Sequence, residues 1–372
     1  MSDGTELGGP WPSPFPWQEL SLMEADLATR ELTVRLRGGE TLVMELGAGG
    51  ESDLPEPGRP VVYVDQRHWV TLAQRLHNPD AIAQDDRQPA EQLIELSRSK
   101  AVVLPLSSAN LWEIAPTGRH RRHVALTMVE LSRGWQLRDP VSVRGQELSR
   151  AMAGENPAIA DAVITLEPSA IFNSDLSPLE GAGLPGDWRV LFERQTNSVA
   201  SLAAMLEDDA PAEAQKRRAI SAEWAEPHHD LAVQMRDAGT PREHIRINTL
   251  ARLQGDLKTE LAAAAHASGM GPEQFAGWLR DDFDSAIETM PYVRTLREVL
   301  YHRLSNADDH WSGNDLADSQ FLCCAAAYAD FVAAERKFGD YLQRARRRYP
   351  NNAVTVTTLP DLVEQLAATG IV

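Results

Sequence analysis

The chain has very little cysteine: Cys323 and Cys324 are the only two among its 372 residues. They are neighbours in an apolar, helix-like run, where adjacent side chains point about 100° apart and rarely form a bridge. The sequence therefore excludes a disulfide framework and a cysteine-based zinc site.

Long hydrophobic runs are absent as well. No segment approaches the roughly 18 consecutive apolar residues of a membrane-spanning helix. The opening residues, MSDGTELGGPWPSPFPW, lack the basic-then-apolar layout of a secretory signal. We therefore expect a cytoplasmic protein that is not attached to a membrane.

Basic residues are outnumbered, with 36 lysines and arginines against 54 acidic residues and a formal net charge of -18. Proteins that coat nucleic acid usually carry the opposite sign, because neutralisation of phosphates drives their binding. A nuclease needs only a local basic strip, and two are present, at residues 119–123 and 344–348. Each strip is equally typical of a solvated helix face.

Short apolar runs alternate with helical periodicity at both ends of the chain, whereas the middle shows helical periodicity almost alone. The predicted strands are Glu31–Leu36, Thr41–Leu46, Pro60–Asp65, Ala101–Leu106, Asp330–Ala334 and Ala353–Thr357. The predicted helices cover 69–76, 89–100, a segment that begins at Ser107, 121–133, 188–207, 211–237, 241–267, 272–288, 291–304, 315–328, 337–348 and 360–366.

This order predicts an α/β fold with a central parallel sheet, interrupted by a large all-helical insertion and preceded by a small β-hairpin. The expected parts are a hairpin and linker at 1–56, an α/β domain in two pieces at 57–134 and 311–372, and the helical insertion at 135–310. An inserted segment of this kind lies in a loop of the host domain and leaves its sheet intact.

Acidic residues stand where these elements begin or end. Asp65 ends the first strand of the α/β part, and Glu335 directly follows the strand at 330–334. Glu113 lies in the helix after the second strand, while Asp315 and Asp318 are three residues apart at the start of a helix and so share a face. Ligands of open α/β sheets gather at the carboxyl ends of the strands, so these acids are candidate metal ligands.

An all-oxygen donor set is what Mg²⁺ or Mn²⁺ prefers. Such an ion can generate hydroxide and stabilise charge on a phosphodiester. Each acid taken alone also has an ordinary structural role, as a helix cap at Asp315, a turn residue at Asp65 or a surface carboxylate at Glu113 and Asp318.

Four segments resemble the motifs of the PIN-domain ribonuclease family. Val-Tyr-Val-Asp65 is similar to the opening strand of that family, and the run from Leu104 to Glu113 is similar to its capped helix with a glutamate. The run from Asn314 to Phe338 resembles the helix-starting aspartate followed by an acid after a strand, and 354–363 resembles the closing strand and helix.

The resemblance implies a PIN-like three-layer fold and hydrolysis of RNA phosphodiester bonds by a metal-activated water. By it, Asp65, Glu113, Asp318 and Glu335 would be catalytic and bind Mg²⁺ or Mn²⁺, with Asp315 as a further ligand. Glu335 departs from the family, which usually has aspartate there, and its extra methylene puts a second metal in doubt.

Several polar residues are candidates for substrate binding. Arg67 follows Asp65 closely, and Ser107 and Asn110 precede Glu113 on the same helix; a helix cap is an equally good role for Ser107. From the first basic strip, Arg119 and Arg122 are further candidates for phosphate contacts.

Two other functions stay open. One is a catalytically silent PIN-like scaffold whose helical insertion binds a protein partner, which for a toxin-like nuclease would be an antitoxin; a homo-oligomer is also open. The other is a phosphatase with an aspartate nucleophile, but such enzymes carry a second aspartate two residues after the first, where this chain has Arg67.

Overall fold

The computed structural model describes residues 20–26, 28–45, 59–114, 120–166, 170–171 and 211–371. The fold is mixed α/β and mostly helical. Its strands are β1 Leu20–Asp26, β2 Glu31–Leu36, β3 Thr41–Glu45, β4 Val62–Val64, β5 Gln136–Leu137, β6 Ile164–Thr165, β7 Phe331–Ala333 and β8 Val354–Val356. Its α-helices are α1 Gln66–His77, α2 Gln84–Arg98, α3 Ser108–Glu113, α4 Arg121–Ser132, α5 Pro140–Met152, α6 Ala160–Val163, α7 Pro211–Asp237, α8 Arg242–Asp256, α9 Lys258–Ala267, α10 Pro272–Asp281, α11 Phe283–Ile287, α12 Pro291–Leu304, α13 Asn314–Tyr328, α14 Arg336–Arg348 and α15 Leu359–Ala368.

The N-terminal strands form an antiparallel sheet in the order β1-β2-β3. The predicted hairpin of β2 and β3 is confirmed, and Gly39 supplies the positive φ of 95° that its turn requires. The strand β1 was not predicted, because its sequence shows no clear alternation of apolar and polar residues. Its side chains whose burial is described are exposed. The sheet is tied to α4 through Arg133, which pairs with Glu31 at 2.7 Å and with Glu45 at 3.0 Å.

A small parallel sheet in the order β4-β7-β8 is the centre of the α/β part. Val62 pairs with Phe331, so the sheet joins segments that lie far apart in sequence, as predicted. The predicted strand at 101–106 forms only isolated parallel bridges, one of them between Val61 and Val103. Pro105 interrupts it, because proline has no N–H to donate to a ladder.

The two faces of the parallel sheet pack into separate hydrophobic clusters. Alternation along the strands sends Tyr63 and Val332 to one cluster, together with α5, α12, α13 and much of the helical middle. It sends Val62 and Phe331 to the other cluster, together with α1, α2, α4, α15 and the N-terminal sheet. Helical layers therefore cover the sheet on both sides, and the middle of the chain supplies much of one of them.

The helical middle largely matches the predicted segments. The predictions for 121–133, 211–237 and 291–304 are confirmed as single helices. Those for 241–267 and 272–288 each correspond to two helices, and Gly255 lies just before the first break, where its low helix propensity favours an end. Helices α5 and α6 were missed, and the strands β5 and β6 show that the predicted all-helical insertion at 135–310 is not wholly helical. The predicted helix at 188–207 lies outside the described residues.

Glu147 of α5 caps the start of α12 from the side. Its carboxylate accepts hydrogen bonds from the backbone N–H groups of Tyr292 at 2.8 Å and Val293 at 3.0 Å, and from the hydroxyl of Tyr328. These are donors that a helix start leaves unpaired. Burial raises the pKa of Glu147 to about 7 despite these bonds. One buried side chain thus connects three helices.

In the part of the chain that the structure describes, no helix is both long and apolar enough to cross a bilayer.

Candidate functional site

Asp65 connects the ends of two neighbouring strands. Its backbone N–H donates to the carbonyl of Ala333 at 2.9 Å, which extends the pairing of β4 with β7. Its side chain caps α1 by accepting from the N–H of Gln66 at 2.7 Å, and its other oxygen accepts from the N–H of Glu335 at 3.3 Å. Burial raises the pKa of Asp65, and the charge of Glu335 adds to the rise.

Glu335 is the second residue after β7 and the N-cap residue of α14. Its side chain is exposed. Since β4 and β7 are parallel neighbours, Asp65 and Glu335 emerge together at the carboxyl edge of the sheet, as expected for this class of sheet.

Glu113 is the last residue of α3, and a buried polar network sets where that helix begins. The side-chain oxygen of Asn110 accepts from the backbone N–H of Ser107 at 2.9 Å and from its hydroxyl at 3.0 Å. The Ser107 hydroxyl also lies 2.9 Å from the hydroxyl of Tyr63, which ties the helix to β4. The pKa of Glu113 is raised to about 7 by burial and then by the charges of Asp65 and Glu335.

Asp318 lies in the second turn of α13. Its pKa is raised to about 8, first by burial and then by the charges of Asp65, Glu113, Asp315 and Glu335. No hydrogen bond or ion pair to its carboxylate occurs within the described residues. A half-buried carboxylate without a partner is costly, because burial penalises its charged form.

Four of the predicted acids lie in one region of the molecule, since the charges of Asp65, Glu113 and Glu335 all raise the pKa of Asp318. They bring up to four negative charges to one edge of the sheet. As they stand, no three His, Cys, Asp or Glu side chains of the described ranges are close enough together to hold a metal ion. The donor set fits a hard divalent cation in kind, but the carboxylates must approach one another to coordinate one.

Asp315 has a different environment from the other four. Its carboxylate lies 2.7 Å from the guanidinium of the buried Arg303 and 3.2 Å from the ammonium of Lys337, and it accepts from the N–H of Ser312 at 2.6 Å. Burial acts to raise the pKa of Asp315, but the charge of Arg303 and these bonds outweigh it and lower the pKa. Its oxygens are already satisfied by cations of the protein.

The candidate substrate-binding residues do not form one group. Arg67 is exposed in the first turn of α1, beside Asp65. Ser107 and Asn110 are buried in the network that caps α3. Arg122 pairs with Glu40 at 3.0 Å, and Arg119 lies outside the described residues.

Two residues near the acids were missed from the sequence. Tyr63 of β4 is buried, and burial together with the charges of Asp65, Glu113 and Asp318 raises its pKa. Lys337 pairs with Asp309 at 3.2 Å as well as with Asp315. The position of Lys337 two residues after Glu335 is the one signal that could have indicated it.

No protein-family model matches the chain, and no similar curated protein or solved structure was found.

Proposed function

We propose that the chain has a PIN-like fold and is a metal-dependent ribonuclease, in which Asp65, Glu113, Asp318 and Glu335 hold Mg²⁺ or Mn²⁺. The environment of Asp318 carries this proposal: a half-buried carboxylate with a pKa of about 8, surrounded by other carboxylates and lacking a cation. Buried charges in proteins are paired or bind metals. By contrast, the buried carboxylates of Glu298 and Asp315 each contact an arginine.

RNA as the substrate follows from the resemblance of the sequence motifs to the PIN-domain family. When bound, the ion would lower the pKa of a coordinated water and neutralise charge on the phosphodiester. Hydrolysis would proceed without a covalent intermediate.

The protein's own groups prepare the site in two ways. Two backbone N–H groups hold the Asp65 carboxylate between β4 and β7. Glu113 and Asp318, with pKa values of about 7 and about 8, retain protons near neutral pH that a cation must displace. Metal affinity should therefore rise with pH through this range.

The direct test is cleavage of RNA by Asp65→Asn and Asp318→Asn proteins with Mn²⁺. Asp281→Asn is the matched control, because Asp281 is an exposed acid at the end of α10, outside the acidic group. We expect loss of cleavage in the first two variants and full activity in the control. Cleavage by Asp318→Asn at the parent rate contradicts the assignment.

A second candidate is a catalytically silent PIN-like scaffold that binds a protein partner through its helical middle. The observation that favours it is the absence, within the described ranges, of three acidic or histidine side chains close enough to hold an ion. Neither heat of binding nor a thermal shift with Mn²⁺ is expected for such a scaffold. The nuclease predicts both.

A further inference from the structure

Arginines surround a pocket of about 600 Å³ where three helices meet. One helix is α8, the second is α12 and the third is α14, which begins next to Glu335. The pocket is lined by Arg246, Glu298, His302, Arg344, Arg347 and Arg348. Four guanidinium groups face one carboxylate, so the lining carries a net charge of +3 with His302 neutral, in a chain whose net charge is -18.

Glu298 fixes one side of the pocket. Its buried carboxylate accepts two hydrogen bonds from Arg246, at 3.0 and 3.2 Å, and lies 3.6 Å from Arg348. Arg246 also lies over the ring of Tyr301, 3.8 Å from its centroid. Arg348 is further neutralised by Glu288 at 2.9 Å. These two arginines are held in place, and their charges are largely balanced.

Arg344 and Arg347 are the arginines left to bind a ligand. Both are exposed, and neither forms an ion pair with any residue that the structure describes. Arg344 lies against Tyr341, with its guanidinium 5.6 Å from the ring centroid. Planar guanidinium groups of this kind recognise phosphate through paired N–H donors.

A second pocket shares Arg347 with the first. It has a volume of about 420 Å³ and is lined by Gln343, Arg346, Arg347, Pro350, Val354 and Thr355. Two adjoining pockets on either side of one arginine fit a ligand with successive phosphates better than a single anion. The first pocket is lined by charged side chains and His302, which favours contacts to a phosphate backbone over base reading.

We propose that these two pockets bind the phosphodiester backbone of a single-stranded RNA, through Arg344 and Arg347. The choice of RNA rests on the proposed nuclease function. Arg347 lies 12 residues after Glu335 on the same helix, or about 18 Å at 1.5 Å per residue. A strand that spans this distance holds several phosphates between the arginines and the acids, so the pockets would bind RNA away from the scissile bond.

The test is binding of a fluorescent oligouridylate to the full chain in EDTA, followed by anisotropy over a salt series. The variant is Arg344→Gln/Arg347→Gln. The matched control is Arg87→Gln/Arg280→Gln, which removes two exposed arginines that lie outside both pockets. Thermal unfolding of all proteins checks that they are folded.

We expect the pocket variant to bind on the order of 20-fold more weakly near ~0.1 M salt, with a salt slope smaller by about 1.4, since each single-strand contact contributes ~0.7. The control should bind as the parent does. Equal binding by the pocket variant and the control overturns the proposal. So does tighter, Arg344-dependent binding of inorganic phosphate or a free nucleotide than of the oligonucleotide, which would assign the pocket to a small phosphate ligand.

Because the assay contains no metal, it is independent of catalysis. Arginine-dependent binding without Mn²⁺-dependent cleavage supports the pocket and contradicts the nuclease. Cleavage that persists while the pocket variant binds RNA normally supports the nuclease and overturns the pocket.

Discussion

Single carboxylates in this protein differ in what surrounds them, and that difference separates their roles. Asp318 and Asp315 are three residues apart on one helix, yet burial and neighbouring acids raise the pKa of Asp318 to about 8, whereas Arg303 and Lys337 lower that of Asp315. The sequence could not separate them, because Arg303 approaches Asp315 from another helix. The sequence alone showed only how far Asp315 and Asp318 each lie from Glu335 and that the two share a helix face.

Asp318→Asn should stabilise the metal-free protein at alkaline pH. Because the folded pKa of Asp318 is raised from 3.8 to about 8, its favourable contribution is present below pH 3.8 and is lost as pH rises through 8. Asparagine does not ionise, so at pH 8 and above we expect the free energy of unfolding to increase by on the order of 2 kcal/mol. Urea unfolding from pH 4 to 9 measures the change. A variant that is less stable than the parent at pH 8 contradicts the prediction.

Asp315→Asn should instead destabilise the folded protein. The fully buried Arg303 would keep only Asp309, at 3.3 Å, as its charged partner. Breaking a buried ion pair leaves an uncompensated charge, so we expect a loss of about 3 kcal/mol near neutral pH. Chemical denaturation checks this, and an unchanged midpoint in urea would show that Asp315 is free for another role.

Among the elements, the strands of the parallel sheet were predicted correctly, whereas β1, β5 and β6 were missed. Short runs of apolar and β-branched residues indicated β4, β7 and β8, because buried parallel strands are apolar on both faces. Pro105 was visible in the sequence, but its effect on the strand at 101–106 depends on which side of that segment faces a neighbour. The capping of α12 by Glu147 links residues more than a hundred positions apart and has no local signal.

Glu147→Gln should lower the free energy of unfolding by weakening the start of α12, and the size of this loss should depend on pH. Glutamine has one acceptor oxygen for the three donors that Glu147 satisfies, which leaves buried donors unpaired at a cost of about 1–3 kcal/mol. The parent loses stability between pH 4.5 and about 7, because the folded pKa of Glu147 is raised to about 7. We therefore expect the largest difference near pH 5 and a smaller one at pH 8. Thermal unfolding at both pH values measures it, and a constant difference contradicts it.

Over the whole molecule, the predicted insertion and the sheet share one hydrophobic cluster. Val332 of β7 and Phe321 of α13 belong to the same cluster as Leu253 of α8 and Leu300 of α12. Helical periodicity predicted the helices of the middle but not the layer they form on the sheet, since periodicity shows which face is apolar and not what covers it.

A variant with residues 135–310 deleted should therefore fail to fold cooperatively. Deletion of residues 135–310 would expose one face of the parallel sheet, where Tyr63 and Val332 are now buried. We expect a broad thermal transition and exposed apolar surface. A sharp transition would show that the two end segments fold as an independent domain.

The central claim is that Asp65, Glu113, Asp318 and Glu335 form one metal site. Calorimetric titration of Mn²⁺ at pH 7.5, in two buffers of different ionisation enthalpy, tests it most directly. We predict saturable binding with release of protons from Glu113 and Asp318, lost in Glu113→Gln and Asp318→Asn proteins and retained in Asp281→Asn. Absence of Mn²⁺ binding, or equal binding by the parent and Asp318→Asn, would contradict the claim.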